Sequence, residues 1–217
     1  MRKGPLTLVR DLSDVAPAEL SSHDRILNAA RALFASLGYE NTTTSAIARN
    51  AGTSESQLIK HFGSKEGLLE AIFDHAWQRM GQGIRQALEQ YEEPVDKLKA
   101  LTELMINALE SDKELRTLML LEGRRIRRHG QMVIMTKGFL QVVGAIDKVL
   151  ALMRERGQLR PELEIQAVRS ALIGAFEGLL RDRMLAERVN FPAQYSPADI
   201  RATFRAILLC FLTPQPA

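Results

Sequence analysis

Apolar residues recur along most of the chain at three- and four-residue steps, the period of helices that bury one face, and no segment shows the alternation of a strand. Ile26, Ala29, Ala30, Leu33, Phe34 and Leu37 share one face of a first helix, and Gly38 supplies its stop. Thr43 or Thr44 caps a short second helix with Ile47, Ala48 and Ala51 inward, ending at Gly52. Ser54 and Gln57 form the S-x-x-Q pattern of a capping box for a third short helix, Glu55 to Phe62, with Leu58 and Phe62 inward. Ser64 opens a fourth helix from Lys65 to about Gln90, which Gly81 and Gly83 are expected to loosen midway. Pro94 suits the first turn of a fifth, and Ser111 with Glu114 reads as a capping box for a sixth that ends before Gly130. A seventh is expected from Met132 to Arg156, an eighth from Pro161, and a ninth after Ser196, Pro197 and Asp199 with Ile200, Phe204, Ile207, Leu208 and Phe211 as its stripe. The pattern predicts an all-α chain of about nine helices: a mobile arm over residues 1–21, a three-helix head over 22–66, and a helical-bundle body over 67–217.

Composition narrows the function classes. With 217 residues, 46% of them apolar, the chain can bury a core in a small head and a larger body. No apolar run is long enough to span a membrane and no secretory signal is recognisable, so a cytoplasmic location without membrane contact is expected. The single cysteine, Cys210 between Leu209 and Phe211, leaves no disulfide framework or cysteine-rich zinc site. The net charge of +3 permits nucleic-acid binding, but residues 1–81 hold nine Lys/Arg and nine Asp/Glu, so the head earns that reading from local geometry alone.

The local geometry is specific. Two short helices joined by a tight turn and braced by a longer one make a helix-turn-helix, whose second short helix enters the major groove. Gly52 lies where the chain reverses, and Ala48 and Ala51 let the two helices approach. The stretch from Phe34 to Phe73 carries Gly38-Tyr39, Thr44, Ile47-Ala48, Ala51-Gly52, Ser54, Leu58, His61-Phe62 and Ser64-Lys65-Glu66 in fixed order, and it resembles the DNA-binding head of the tetracycline-repressor (TetR) family of bacterial regulators. Two positions depart from that family's pattern: Ser56 stands where glycine is usual, and Ile59 where an aromatic residue is.

The resemblance and the docking geometry together imply the following roles. Thr43, Thr44 and Ser45 at one helix start and Ser54 at the next cap their helices and can offer hydroxyl and N–H groups to phosphates. Glu55, Ser56, Gln57 and Lys60 occupy the early, outward part of the recognition helix; Gln57 either reads adenine or completes its own capping box, and Lys60 either reads guanine or holds a phosphate. Ile59 suits a thymine methyl, His61 a phosphate or packing role, and Lys65 a phosphate.

In the body, Ser170, Gly174 and Gly178 form a row of small residues at four-residue spacing, which with Phe204, Ile207 and Phe211 can pack either on a second copy or inside one subunit. The family resemblance and the two half-sites of a twofold operator favour a homodimer. Met105, Met119, Met132, Met135 and Phe139 suit either an adaptable apolar cavity or plain core, while Glu177 and Arg181 can orient a ligand or pair with each other. The run Arg124, Arg125, Arg127, Arg128 and His129 fits a basic helix end and is assigned no site. The expectation is a homodimeric repressor of double-stranded DNA, needing no cofactor or metal, with a small-molecule effector implied by the resemblance only. The rivals are a ligand-independent nucleoid or division factor of the same fold and, more distantly, a helical-bundle enzyme; for the latter the sequence offers no phosphate-binding glycine loop, metal-ligand cluster or nucleophile–base spacing.

Overall fold

The computed structural model describes residues 20–121 and 136–214. Its helices are α1 (Ser22–Leu37), α2 (Thr44–Asn50), α3 (Glu55–Phe62), α4 (Lys65–Gln90), α5 (Pro94–Ser111), α6 (Lys113–Leu121), α7 (Lys137–Glu155), α8 (Ile165–Val189) and α9 (Pro197–Cys210). Residues 1–19 of the N-terminal arm, the Arg124–His129 run, Gly130, Met132 and Met135 lie outside the described residues.

Side-chain caps set most helix starts. The Ser21, Thr43, Ser54 and Ser64 hydroxyls each accept the backbone N–H three residues on. Ser196 and Asp199 make a full reciprocal capping box for α9. Three expected boundaries move. The sixth helix is capped by Asp112, whose Oδ1 accepts the Leu115 N–H at 2.9 Å, while the Ser111 hydroxyl turns back to the Ala108 carbonyl. The seventh helix starts at Lys137 behind Thr136, not at Met132. Pro161 sits in the turn before α8, which begins at Ile165 without a side-chain cap.

α4 is continuous through Gly81 and Gly83 and links head to body. Gly83 lies close against α5, where a Cβ would come within 2.4 Å of the movable Cδ1 tip of Leu104. Gly138 does the same between α7 and α4, where a Cβ would lie 2.3 Å from the Trp77 Cβ. Alanine gains up to about 1 kcal/mol of helix propensity over glycine, but the root of a tryptophan cannot swing aside, so the clash should win. Gly138→Ala is expected to destabilise by about 1–3 kcal/mol, read as a lower melting temperature with a shifted Trp77 emission.

The core runs from Ile26, Phe34, Ile47 and Leu58 in the head through Leu68, Leu69 and Ile72 of α4 to Ile106, Leu118, Leu150 and Leu180 in the body. Leu37, expected on the inward stripe of α1, is 53% exposed. The α7–α8 connection is tied to the end of α9 by a β-bridge between Leu159 and Leu212, flanked by Arg160 N–H to Phe211 O and Thr213 N–H to Gln158 O.

Candidate nucleic-acid interface and body cavity

α1 braces two short helices. Arg25 on α1 donates through Nε to the Ala51 carbonyl at 3.0 Å, pinning the α2–α3 turn. Gly52 takes φ +62 there, a conformation that suits glycine. α3 is held by Leu58, its one buried residue, by Ser54 at its start, and by Gly63, whose N–H returns to the Ile59 carbonyl at 2.8 Å.

Since the helical period turns about 100° per residue, residues two places from an inward position face outward. Ser56 and Lys60 therefore point away from buried Leu58, with Gln57 and Ile59 on the two flanks, and all four are exposed. The Gln57 backbone N–H donates to the Ser54 hydroxyl, while its side-chain amide is exposed and takes no part in the cap. Ser54 also bonds Ser56, Oγ to Oγ, at 2.9 Å. The Thr44 hydroxyl donates to the Glu55 carboxylate, joining the first turns of α2 and α3.

His61 is exposed on the α1 side of α3, with Nε2 3.1 Å from the Ser22 hydroxyl and its ring 5.7 Å from that of His23. Beside it, hydrogen bonds from Ser21 and then His23 hold the Asp24 carboxyl below its ordinary value. Thr43 and Ser45 are exposed at the start of α2.

Lys65 departs from the role expected of it. Its ammonium donates to the Tyr39 carbonyl at 3.0 Å and the Thr42 carbonyl at 3.1 Å, and lies 4.2 Å from the Tyr39 ring centroid. The Tyr39 hydroxyl in turn donates to Glu66 at 2.8 Å. Lys65 thus locks the α1–α2 turn onto the start of α4. Lys65→Ala is expected to lower head stability by about 1–3 kcal/mol and to leave the salt dependence of DNA binding near that of the intact protein. A salt slope flattened by a full unit, with unchanged melting, would return Lys65 to phosphate binding.

Within the body, α4, α5, α6, α7, α8 and α9 surround a mostly apolar cavity of about 660 Å³. Met105, Met119, Phe139 and Glu177 are in its wall, joined by Trp77 of α4, which packs 5.6 Å from the Phe139 ring, and by Arg169 of α8. Arg181 is exposed and stands outside the wall. Phe204 corrects the expected α8–α9 surface: it is 5% exposed, meets Phe176 edge-on at 6.1 Å and lines the cavity. Ser170 and Gly174 are exposed, Gly178 is half-buried, and a Cβ at either glycine would meet nothing within 4 Å. Ile207 and Phe211 are half-buried, and the exposed positions of α9 are Ala198, Asp199, Ala202, Thr203, Arg205, Ala206, Leu209 and Cys210.

Sequence reading missed the groups that join these parts. Arg31 of α1 reaches Asp112 at 2.6 Å and Glu114 at 3.0 Å, clamping the head to the first turn of α6. Buried Arg116 pairs with Glu187 of α8 at 2.7 Å and Glu110 of α5 at 3.5 Å. Arg31 has no acid beside it on α1, and its partners, like Glu187 for Arg116, lie more than 70 residues away along the chain.

A braced pair of short helices, the second with a polar outer face and a buried inner anchor, is a helix-turn-helix DNA-binding head set on a helical body. Residues 26–72 match the model of bacterial regulatory proteins of the tetR family, and residues 73–193, more than half of the chain, match that of the YsiA-like protein C-terminal region. The chain belongs to the tetR family and is a DNA-binding transcriptional regulator. It is 25% identical over 158 residues to the fatty acid metabolism regulator protein of Bacillus subtilis, covering 70% of this chain and 78% of that one. The fold is shared with the fatty acid degradation regulator FadR from Bacillus halodurans, at 21% identity and TM-score 0.76 over 88% of this chain and 96% of that one. It is shared also with FadR from Bacillus subtilis in complex with stearoyl-CoA, at 19% identity and TM-score 0.68 over 88% and 98% of the two chains. Among the described residues, no helix is long and apolar enough to cross a membrane.

Proposed function

We propose that this regulator is a homodimeric repressor that reads a near-palindromic operator through α3 of each protomer and leaves it when an amphiphile with a long apolar body fills the cavity. The cavity carries the reading. Protein interiors are close-packed, so an apolar void of about 660 Å³ in a body this small is a binding volume rather than slack. A ligand-independent DNA-organising protein of the same fold has no use for it.

α6 supplies a route from ligand to DNA. Met119 and Leu120 near its end form cavity wall, and Asp112 and Glu114 at its start hold Arg31 of α1. Moving α6 to admit a ligand therefore pulls on the head. A ligand of this kind is the one that one fold-mate was solved with and agrees with the name of the relative from Bacillus subtilis. For the dimer, the open positions Gly174 and Gly178 of α8, with exposed Leu209 of α9, give a second copy of α8 and α9 a close seat. Twofold pairing then sets two recognition helices about 34 Å apart or a multiple of it.

Sedimentation together with footprinting of upstream DNA tests the reading, with and without added long-chain acyl-CoA. The expected result is a dimer protecting two half-sites and released by the acyl compound. Protection that no amphiphile disturbs would overturn the ligand-responsive part, and a monomer bound to a single half-site would overturn the dimer.

A further inference from the structure

The cavity has two chemically different ends. Where α7 meets α4 the wall is apolar, with Trp77 against Phe139. Where α7 meets α8 it is charged: Arg169 Nη1 donates to Asp147 Oδ2 at 2.6 Å, and Arg169 lines the cavity. Phe139 and Asp147 are eight residues apart on α7, which separates the two ends by about 12 Å along the helix axis.

The guanidinium is under-used. Arginine carries five N–H donors in a planar fork, and Asp147 takes one of them. Among the described residues no other hydrogen-bond acceptor stands against it. Its side chain is 20% exposed; of its neighbours in the wall Leu172, Ile173 and Ile146 carry no side-chain acceptor, and the Ser170 hydroxyl is not bonded to it. Glu177, the other charged residue of the wall, already has an interaction of its own. An arginine in the cavity wall with donors to spare can hold an acceptor that enters that space.

We infer that Arg169 anchors the anionic head of the ligand, a carboxylate or phosphate oxygen at the end of an apolar chain, and that the chain lies along α7 toward Trp77 and Phe139. Asp147 is a positioning residue: by holding one Nη1 donor it fixes the plane of the fork while leaving the remaining donors to the ligand. The inference rests on reading the cavity as an effector site, and it adds polarity to that reading. The head is held far from the DNA-binding domain, and the tail presses on the α4 wall nearest to it. Chain length then becomes the variable that decides whether binding is felt at α4.

Trp77, the only tryptophan of the chain, stands in the cavity wall and reports occupancy directly. Fluorescence titrations of the full chain would use dodecanoate, dodecanol and dodecanoyl-CoA, which share a chain and differ in the head. Dodecanoate is expected to bind about 10- to 100-fold more tightly than dodecanol, the value of one or two charge-assisted hydrogen bonds. Arg169→Leu should close that gap by weakening dodecanoate, and Asp147→Asn should narrow it in the same direction. A free carboxylate as the natural head predicts that dodecanoate exceeds the CoA thioester; phosphate oxygens of a carrier predict the reverse, with the same dependence on Arg169.

Equal affinity for acid and alcohol in the unaltered protein would overturn the assignment, and that comparison needs no variant to fold. Survival of the gap in Arg169→Leu would overturn it too. Silence from all three compounds, in fluorescence and in release of DNA, is a different result: it removes the effector site itself.

Discussion

Leu58→Ala is expected to cost about 2–5 kcal/mol and to abolish operator binding at physiological temperature. Leu58 is fully buried and is the one buried residue of α3. An eight-residue helix cannot stand alone in water, so its position depends on this anchor, on the Ser54 cap and on Gly63 at its end. Truncating the side chain removes the apolar contact and leaves a void among α1, α2 and α4. Native domains hold only about 5–15 kcal/mol in total, and the head contributes a small share of the core, so the loss should fall on the head first. Far-UV melts should show an early transition absent from the intact protein, while Trp77 in the body still responds to cavity ligands. An unchanged melt with unchanged DNA affinity would mean that α3 is held by something other than this contact.

What could be read from the sequence was whatever is decided within a few residues of itself. Ser54, Ser64 and the Ser196–Asp199 box announced their helices because a cap is a local bond, and Gly52 announced its turn because φ +62 is a local demand. At Ser111 the pattern chose the wrong cap, since the hydroxyl had a competing carbonyl within its own helix and the next residue, Asp112, takes the Leu115 N–H. α8 begins with no side-chain cap, so no residue could mark its start.

The larger misses are tertiary. Lys65 looks like any lysine at a helix start, and its two carbonyl partners come from residues 26 and 23 positions away. Gly83 looks like a helix weakness until Leu104 is placed against it. Phe204 fits an interface stripe as well as it fits a cavity wall, because both are apolar faces of one helix. The cavity itself is invisible in sequence: methionines and aromatics that line a space carry the same periodicity as those that fill one. Arg169 gave a faint signal, as a cation between Val168 and Ser170 at the edge of the inward stripe of α8.

The double variant Gln57→Ala with Lys60→Ala tests the outer face of α3 without disturbing the inner one. Both side chains are exposed and neither helps to hold the helix, since Ser54 alone caps it. Stability should therefore change by no more than about 0.5 kcal/mol. A well-made contact to a base edge is worth about 1–3 kcal/mol of discrimination, so two of them predict a loss of about 2–6 kcal/mol per half-site for the cognate operator. Binding to unrelated DNA rests on phosphate neutralisation and should fall much less, with the salt slope flattened by about one unit per head if Lys60 also meets a phosphate. The two affinities thus collapse toward each other, and specificity is what disappears. Ser56 lies on the same outward line as Lys60, where the family's usual glycine presents no side chain, so it stays in place in this variant as an internal control for backbone docking. Shift assays against operator and scrambled duplexes at two salt concentrations would measure both terms. Unaltered discrimination with an unaltered melt would show that the operator is read from another face, and the docking of α3 in the groove would have to be given up.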